Sequence, residues 1–439
     1  MKIKAAIVIL GASGDLSKKK LIPALLSLFS RDMLSMESVI IGTGRTHFTD
    51  KEFQEKFEIS NKHSNNFHYH NGIKGLKKRI ESLGSFPRVI FFLALPPAVY
   101  GSTARELNEE GFKENVSLII EKPFGYDYDS AHKLNNEINS YFDEHQIFRI
   151  DHYNAKEAVQ NILVFRFANS LYSPVWNNTY IESIQINAFE TIGVEDRGAY
   201  FDGAGIIRDM VQNHLMQLLS LVTMNTPLSL DAEEIRLKKI EILKSLRISE
   251  CDRYQYRGYL EEKGVKPDSN TETYAELKLF IDNHNWHGVP IYIRTGKSMN
   301  RAGTEIGIKF KPLPKLLFNK EGNLKQNAII FKIQPNAGII VDMTSKLPDG
   351  NFTLVNTDLS FCYQDSFHAV IPEAYQKLLL DALRCDQTLF VSAYETELAW
   401  KRFASVLDKG GLGVYEKGTV PQSKYASEWL NFESYSEAC

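Results

Sequence analysis

The stretch RIDHYNAKEAVQ, Arg149 to Gln160, sets an acid, an imidazole, a phenol and an amine within six residues: Asp151, His152, Tyr153 and Lys156. The spacing that follows reads as a helix over 151–168 starting at Asp151 or His152, so that His152 and Lys156 stand four apart on one face of its first turn. A phosphate suits such a corner. Orphan backbone donors, the positive end of the helix dipole and a lysine charge meet there, the dipole alone contributing about 0.3–1 kcal/mol. The same residues also allow a plain helix start, in which Asp151 caps, His152 and Lys156 are solvated and Tyr153 packs.

A second cluster lies in RGAYFDGAGIIRDMVQNHLMQLLSLVTM. A helix over 205–224 is expected to be buried, from Ile206, Ile207, Met210, Leu215, Leu218, Leu219 and Val222. It nevertheless carries Arg208, Asp209, Gln212, Asn213 and His214, which are costly to bury unless each is paired. His214 with Asp209 and Asn213 beside it, facing the separate Asp-His-Tyr cluster, fits a general base held by a buried carboxylate; a satisfied core histidine is the other reading. In IRTGKSMNRAG, Lys297 and Arg301 follow a strand and a glycine and form a third candidate anion contact, or else a solvated loop.

A cofactor signal stands at the N-terminus. ILGASGDLSKKKL places Gly11 and Gly14 directly after an apolar strand, where backbone N–H groups at the start of the next helix can face a pyrophosphate. The spacing is G-x-x-G, which an ordinary strand-to-helix turn also satisfies. No acid lies between Val39 and Phe48 to bind a ribose 2'-hydroxyl; Arg45 and Thr46 stand there instead. Arg45, unless it is a plain surface arginine, is placed to grip a 2'-phosphate, so NADP is the expected coenzyme. LALPPAVYG brings Tyr100 towards the nicotinamide half. In IIEKPFG a cis bond before Pro123 would aim Lys122 into the cleft, with a surface lysine as the alternative.

These residues need elements to hold them. Continuous apolar runs at 5–10, 38–42, 88–95, 116–121 and 147–150 alternate with helices at 16–31, 101–112 and 128–144, the pattern of a parallel sheet covered on both faces. Beyond it, alternating runs at 180–189, 273–281, 289–295, 303–311, 327–333 and 353–361 indicate an antiparallel sheet, with helices at 205–224, 372–384 and 393–408. The expected fold is α/β: a doubly wound, parallel Rossmann-type domain over 1–152, then an α+β domain over 153–439 with a large, mainly antiparallel sheet.

Composition fits two such domains: 439 residues, 43% hydrophobic and 24% charged. A net charge of -3 without a long basic tract excludes a nucleic-acid groove or an anionic membrane surface as the theme. Cys251, Cys362, Cys385 and Cys439 match no zinc spacing, no metal is expected, and a reducing cytoplasm suits them. The apolar run from Ala5 to Leu10 is too short for a signal peptide or a membrane span.

Taken in order, GASGDLSKKKLIPAL, LALPPAVY, EKPFG, RIDHYNAKEAVQNILVFRFAN, RGAYFDGAGIIRDMVQNHLMQL and IRTGKSMNR resemble the signature blocks of the glucose-6-phosphate dehydrogenase family over nearly the whole chain. The resemblance implies oxidation of glucose 6-phosphate at C1 to a 6-phosphogluconolactone with NADP, the first step of the oxidative pentose phosphate pathway. It makes His214 the base and Asp151 its orienting partner. It places the phosphate on His152, Tyr153 and Lys156, and other sugar contacts on Lys122, Glu190, Asp209, Lys297 and Arg301, the last at a spacing one residue shorter than the family's. NADP contacts fall on Gly11, Ala12, Ser13, Gly14, Asp15, Leu16, Ser17, Lys18, Arg45, Tyr100 and Lys122. A homo-oligomer, dimer or tetramer, is implied through the second domain's sheet, and the short tail implies no additional structural NADP site. Two other readings remain at this stage: a dehydrogenase for another sugar phosphate, and a catalytically silent NADP-binding sensor.

Overall fold

The computed structural model describes residues 2–315, 317–319, 324–367, 373–407 and 410–438. Positions 372 and 408, the ends read for two helices, lie outside the described residues, as does Cys439. The chain forms two compact units. One holds Met1–Ala155, Pro227–Leu237 and Pro372–Lys401; the other holds Lys156–Thr226, Lys238–Ile371 and Arg402–Cys439.

The first unit begins with β1 (Ala6–Leu10), α1 (Ile22–Ser30), β2 (Val39–Gly44), α2 (Asp50–Lys56), β3 (Phe67–Asn71), α3 (Leu76–Leu83), β4 (Val89–Leu93), α4 (Tyr100–Glu109), β5 (Val116–Ile120), α5 (Tyr128–Asn139) and β6 (Ile147–Arg149). All six strands are parallel, in the order β3-β2-β1-β4-β5-β6. Strands buried on both faces read as nearly continuous apolar runs, which is why AIVIL and VSLII, the latter broken only by Ser117, were legible. β3, FHYHN, was not in the sequence reading. It is the edge strand, and its polar alternate residues are partly exposed.

The second unit's sheet is built from β7 (Ile181–Phe189), β8 (Leu246–Tyr256), β9 (Tyr274–Ile281), β10 (Ile291–Gly296), β11 (Gly303–Phe310), β12 (Ala328–Gln334), β13 (Gly338–Lys346), β14 (Leu354–Cys362) and β15 (Leu412–Tyr415), in the order β14-β13-β12-β11-β7-β10-β9-β8-β15. Its pairs are antiparallel except β7 with β10 and β8 with β15. β8, β13 and β15 are additions to the sequence reading. In β8 a register shift between Ile248 and Glu250 breaks the alternation that would have revealed it.

The remaining helices are α6 (Glu157–Phe167), α7 (Gly198–Ile206), α8 (Met216–Thr223), α9 (Ala232–Ser245), α10 (Tyr363–Phe367), α11 (Ala374–Arg384) and α12 (Ala393–Phe403). α11 belongs to the first unit. Its Leu378, Leu379, Ala382 and Leu383 complete the apolar layer formed by Ile7 and Ile9 of β1 and Leu25 and Leu28 of α1. The opposite face of the sheet is covered by Leu76 and Ile80 of α3, Tyr100, Ala104 and Leu107 of α4 and Ile138 of α5. Helices on both faces define a doubly wound sheet.

Two local readings are corrected here. The helix expected to start at Asp151 or His152 starts at Glu157, with Lys156 in the capping position. An Asp151 carboxylate oxygen accepts the Tyr153 N–H at 2.9 Å and its carbonyl accepts the Asn154 N–H at 3.1 Å, so 151–154 is a tight turn and His152 and Lys156 do not share a helix face. Aspartate makes this local bond as readily as it caps a helix. The helix read over 205–224 is also interrupted: Gly205, at φ 74 and ψ 168, kinks α7 one residue before its end, and Ile207–Leu215 is π-helical before α8 begins.

Candidate active site

The ends of β1, β2 and β4 frame a cavity of about 720 Å³ within the first unit, lined among others by Gly11, Ser13, Gly14, Thr43, Arg45 and Pro96. Gly11 makes it possible. Its φ is +90, and a Cβ there would stand 2.2 Å from the Ala94 carbonyl oxygen. The Gly11 and Ala12 N–H groups bond to the Thr43 carbonyl at 2.8 and 3.0 Å, which ties the turn to β2 and leaves exposed Ser13 and Gly14 facing the cavity. Ala12, Asp15, Leu16, Ser17 and Lys18 are not in the lining; Ala12 and Ser17 are buried, and the Ser17 hydroxyl is 3.4 Å from the Gly11 carbonyl.

Arg45, Thr46 and His47 are exposed at the end of β2, where the Tyr69 hydroxyl fixes the loop by donating to the Thr46 carbonyl at 2.5 Å. The nearest acid beyond the strand, Asp50, is already engaged. It accepts the Tyr69 N–H at 2.7 Å and an Arg79 N–H at 2.8 Å and stands 3.0 Å from the His68 ring. Burial opposes its charge, but the bonds from His68 and Tyr69 and the charges of His68 and Arg79 hold its carboxyl below the usual range. The end of β2 therefore offers a cation and no available carboxylate. That donor set fits a 2'-phosphate.

β5 and β6 end together, with Ile120 in register with Arg149, so Glu121-Lys122 and Ile150-Asp151 emerge from neighbouring strands. The Lys122–Pro123 bond is cis. Asp151 is 3% exposed, Tyr153 is buried with its ring centre 5.2 Å from that of His152, and Asn154 donates to the Leu389 carbonyl at 3.2 Å. Tyr100 is not brought to the cavity. It is fully buried, and its hydroxyl donates to the Glu121 carbonyl at 3.1 Å, so it braces the strand end.

In the second unit the π-helical segment carries the polar belt. Glu272 fixes its start, since its carbonyl accepts the Ile206 N–H at 3.0 Å and its carboxylate the Ile207 N–H at 3.2 Å. A Cβ on Gly205 would lie 2.5 Å from that carboxylate, which accounts for the glycine. Within the segment Asp209, Gln212 and His214 are buried, His214 at 1% exposure. The i→i+5 repeat of a π-helix sets residues five apart near one face, and Asp209 and His214 have that spacing. Asn213 donates to the Arg208 carbonyl at 2.9 Å and accepts the His214 N–H at 2.6 Å.

Glu190 and Lys297 leave the parallel pair β7 and β10 side by side, because Phe189 and Gly296 are in register. Their side chains form an ion pair, and the Lys297 amine lies 5.2 Å from the centre of the Phe201 ring. The Tyr415 hydroxyl donates to the Lys297 carbonyl at 2.6 Å, fixing the backbone. Arg301 forms a two-pronged pair with Glu305, at 2.5 and 3.2 Å, so its guanidinium already holds a partner within its own unit. Lys156 donates to the Gln334 side-chain carbonyl. Glu272 and Glu121 were not singled out in the sequence. Both are acids beside a glycine- or proline-broken element, but their partners are too distant in the chain for spacing to show them.

A doubly wound sheet with a glycine turn at β1 and a cation at the end of β2, followed by a second α+β unit whose π-helical segment carries buried Asp209 and His214, fits a nucleotide-dependent dehydrogenase. Two family models match in sequence: "Glucose-6-phosphate dehydrogenase, NAD binding domain" over residues 8–161 and "Glucose-6-phosphate dehydrogenase, C-terminal domain" over residues 163–434. The glucose-6-phosphate 1-dehydrogenase of Aggregatibacter actinomycetemcomitans is 39% identical over 94% of this chain and 93% of its own. That of Borreliella burgdorferi is 40% identical over 92% and 91%. A solved glucose-6-phosphate dehydrogenase in complex with its substrate glucose 6-phosphate superposes with a TM-score of 0.92 at 34% identity, covering 97% of each chain. The chain belongs to the glucose-6-phosphate dehydrogenase family.

Proposed function

We propose that this chain oxidises D-glucose 6-phosphate at C1 to 6-phospho-D-glucono-1,5-lactone with NADP, as the entry reaction of the oxidative pentose phosphate pathway. The buried His214 on the π-helical segment carries this reading, because a base for the C1 hydroxyl needs a fixed imidazole shielded from bulk water. His214 takes the hydroxyl proton. Asp151 is the carboxylate that orients the imidazole and stabilises its charged form. The Ser13–Gly14 turn, Arg45 and the cavity between them are the residues that fit NADP, which accepts the C1 hydride when bound there.

The phosphate falls to His152, Tyr153 and Lys156, and the sugar hydroxyls to Lys122, Glu190, Asp209 and Lys297. The Glu190–Lys297 pair suits this task, since one member accepts and the other donates to a hydroxyl. Arg301 contributes through Glu305 at the start of β11. Cytoplasmic placement belongs to the same reading. Among the described residues no helix is long and apolar enough to cross a membrane, and two plant relatives, each 38% identical, carry "cytoplasmic" in their names. So does a homo-oligomer through the sheet edge at β14, where Leu359 is exposed.

Deuterium at C1 of glucose 6-phosphate tests the reaction class. One deuterium per turnover should appear in the reduced coenzyme, with a lactone that opens to the phosphogluconate. Deuterium released to solvent would rule out direct hydride transfer.

A further inference from the structure

Glu121 stands where β5 ends, one residue before Lys122, and is held from two sides. The Tyr100 hydroxyl of α4 donates to its backbone carbonyl at 3.1 Å. The Tyr375 hydroxyl, from the returning helix α11, donates to its carboxylate at 2.8 Å. Tyr375 also packs on Phe92 of β4 with ring centres 6.5 Å apart, which fixes the phenol against the sheet. The side chain is half-buried, and the charged groups that act on it are Lys122 on its own strand end and Asp151 beyond β6. The Tyr375 ring belongs to the apolar layer of α11, and its hydroxyl adds a polar contact to the Glu121 carboxylate.

We propose that Glu121, tethered by Tyr375 and adjacent to Lys122, is a positioning residue whose protonation state sets the pH dependence of substrate capture. The inference rests on the assignment of Lys122 and Asp151 to the active site. Burial pushes the Glu121 carboxyl up to about 7, against the Tyr375 hydrogen bond and the Lys122 charge and with the help of the Asp151 charge. Below that pH the carboxyl is neutral. Above it a second negative charge opposes the approach of an anionic sugar phosphate.

The ratio of kcat/KM for glucose 6-phosphate in the unchanged enzyme to that in Glu121→Gln isolates this ionisation, because glutamine mimics the neutral acid and the other titrating groups cancel. It should fall by roughly threefold or more as pH rises from 5.5 to 9, with its midpoint near 7. Tyr375→Phe removes a donor to the charged form, so the midpoint should move upward by roughly one pH unit. Glu121→Gln combined with Tyr375→Phe should then show no midpoint. A ratio that is flat with pH, or a midpoint that Tyr375→Phe leaves in place or lowers, overturns the proposal. Tyr375→Phe keeps the ring against Phe92 and gives the answer should Glu121→Gln not fold. Lys122→Ala separates the two levels. Unchanged KM values for sugar and coenzyme in that variant would mean the site assignment itself is wrong, whereas impaired binding with a flat ratio would remove the Glu121 role alone.

Discussion

Replacing His214 with asparagine should lower kcat by about 10²–10⁴-fold or more while leaving the dissociation constant of glucose 6-phosphate nearly unchanged. The separation follows from where the tasks lie. His214 sits in the π-helical segment at 1% exposure, while the residues proposed for the phosphate, His152, Tyr153 and Lys156, and the Glu190–Lys297 pair stand on other elements and keep their own bonds. Asparagine preserves polarity at about the same size, so the neighbouring Asn213 bonds to the Arg208 carbonyl and the backbone are retained. Initial rates together with calorimetric titration of the substrate separate the two quantities. A variant with near-native kcat would remove His214 from the chemistry.

Arg45→Ala is the second large effect. It should raise the KM for NADP by about 10- to 100-fold, corresponding to a charge-assisted hydrogen bond of about 1.5–3 kcal/mol, and leave the KM for NAD within about twofold. The asymmetry arises because Asp50, the acid nearest the strand end, is occupied by Tyr69, Arg79 and His68. Removing Arg45 therefore abolishes the phosphate contact without supplying a partner for a ribose hydroxyl. Rates measured with both coenzymes over a range of concentrations decide this. Equal losses for NADP and NAD would mean that Arg45 supports the loop and not the 2'-phosphate.

The two sheets were legible in the sequence because their burial differs. β1 and β4 are apolar throughout and β5 is so but for Ser117, whereas β7 and β9 interleave polar residues with apolar ones although most of their positions are buried. What escaped was whatever burial does not dictate. β3 is a polar edge strand, and β8 carries a bulge that resets its alternation. The π-helical turn over Ile207–Leu215 has the same apolar stripe as an α-helix would, so composition could mark it as buried but not count its residues per turn. Asp151 was read as a possible helix cap, but its carboxylate closes a tight turn and the helix starts at Glu157, because a cap and a tight turn use the same side chain. Tyr375 and Glu121 meet across 254 positions, and a pair of that separation leaves no local trace.

The glycine turn shows the opposite case. Gly11 was read from spacing alone, and its φ of +90 with the Ala94 carbonyl against it gives the physical reason for the residue. Of the 11–18 stretch Gly11, Ser13 and Gly14 line the cavity, while Ala12 and Ser17 are buried and Asp15 and Lys18 are exposed outside it. Family resemblance supplied the roles of His214 and Lys297; the structure supplies the elements that hold them, a π-turn pinned by Glu272 and a parallel strand pair in an otherwise mainly antiparallel sheet.

The most direct measurement is NADPH formation by absorbance, with purified protein offered glucose 6-phosphate, free glucose and other hexose phosphates, each with NADP and with NAD. Rapid turnover confined to glucose 6-phosphate and favouring NADP is the expected result, since the roles proposed for His152, Tyr153 and Lys156 and for Arg45 both require it. Equal turnover of free glucose, or none of glucose 6-phosphate with either coenzyme, would contradict the assignment of this site.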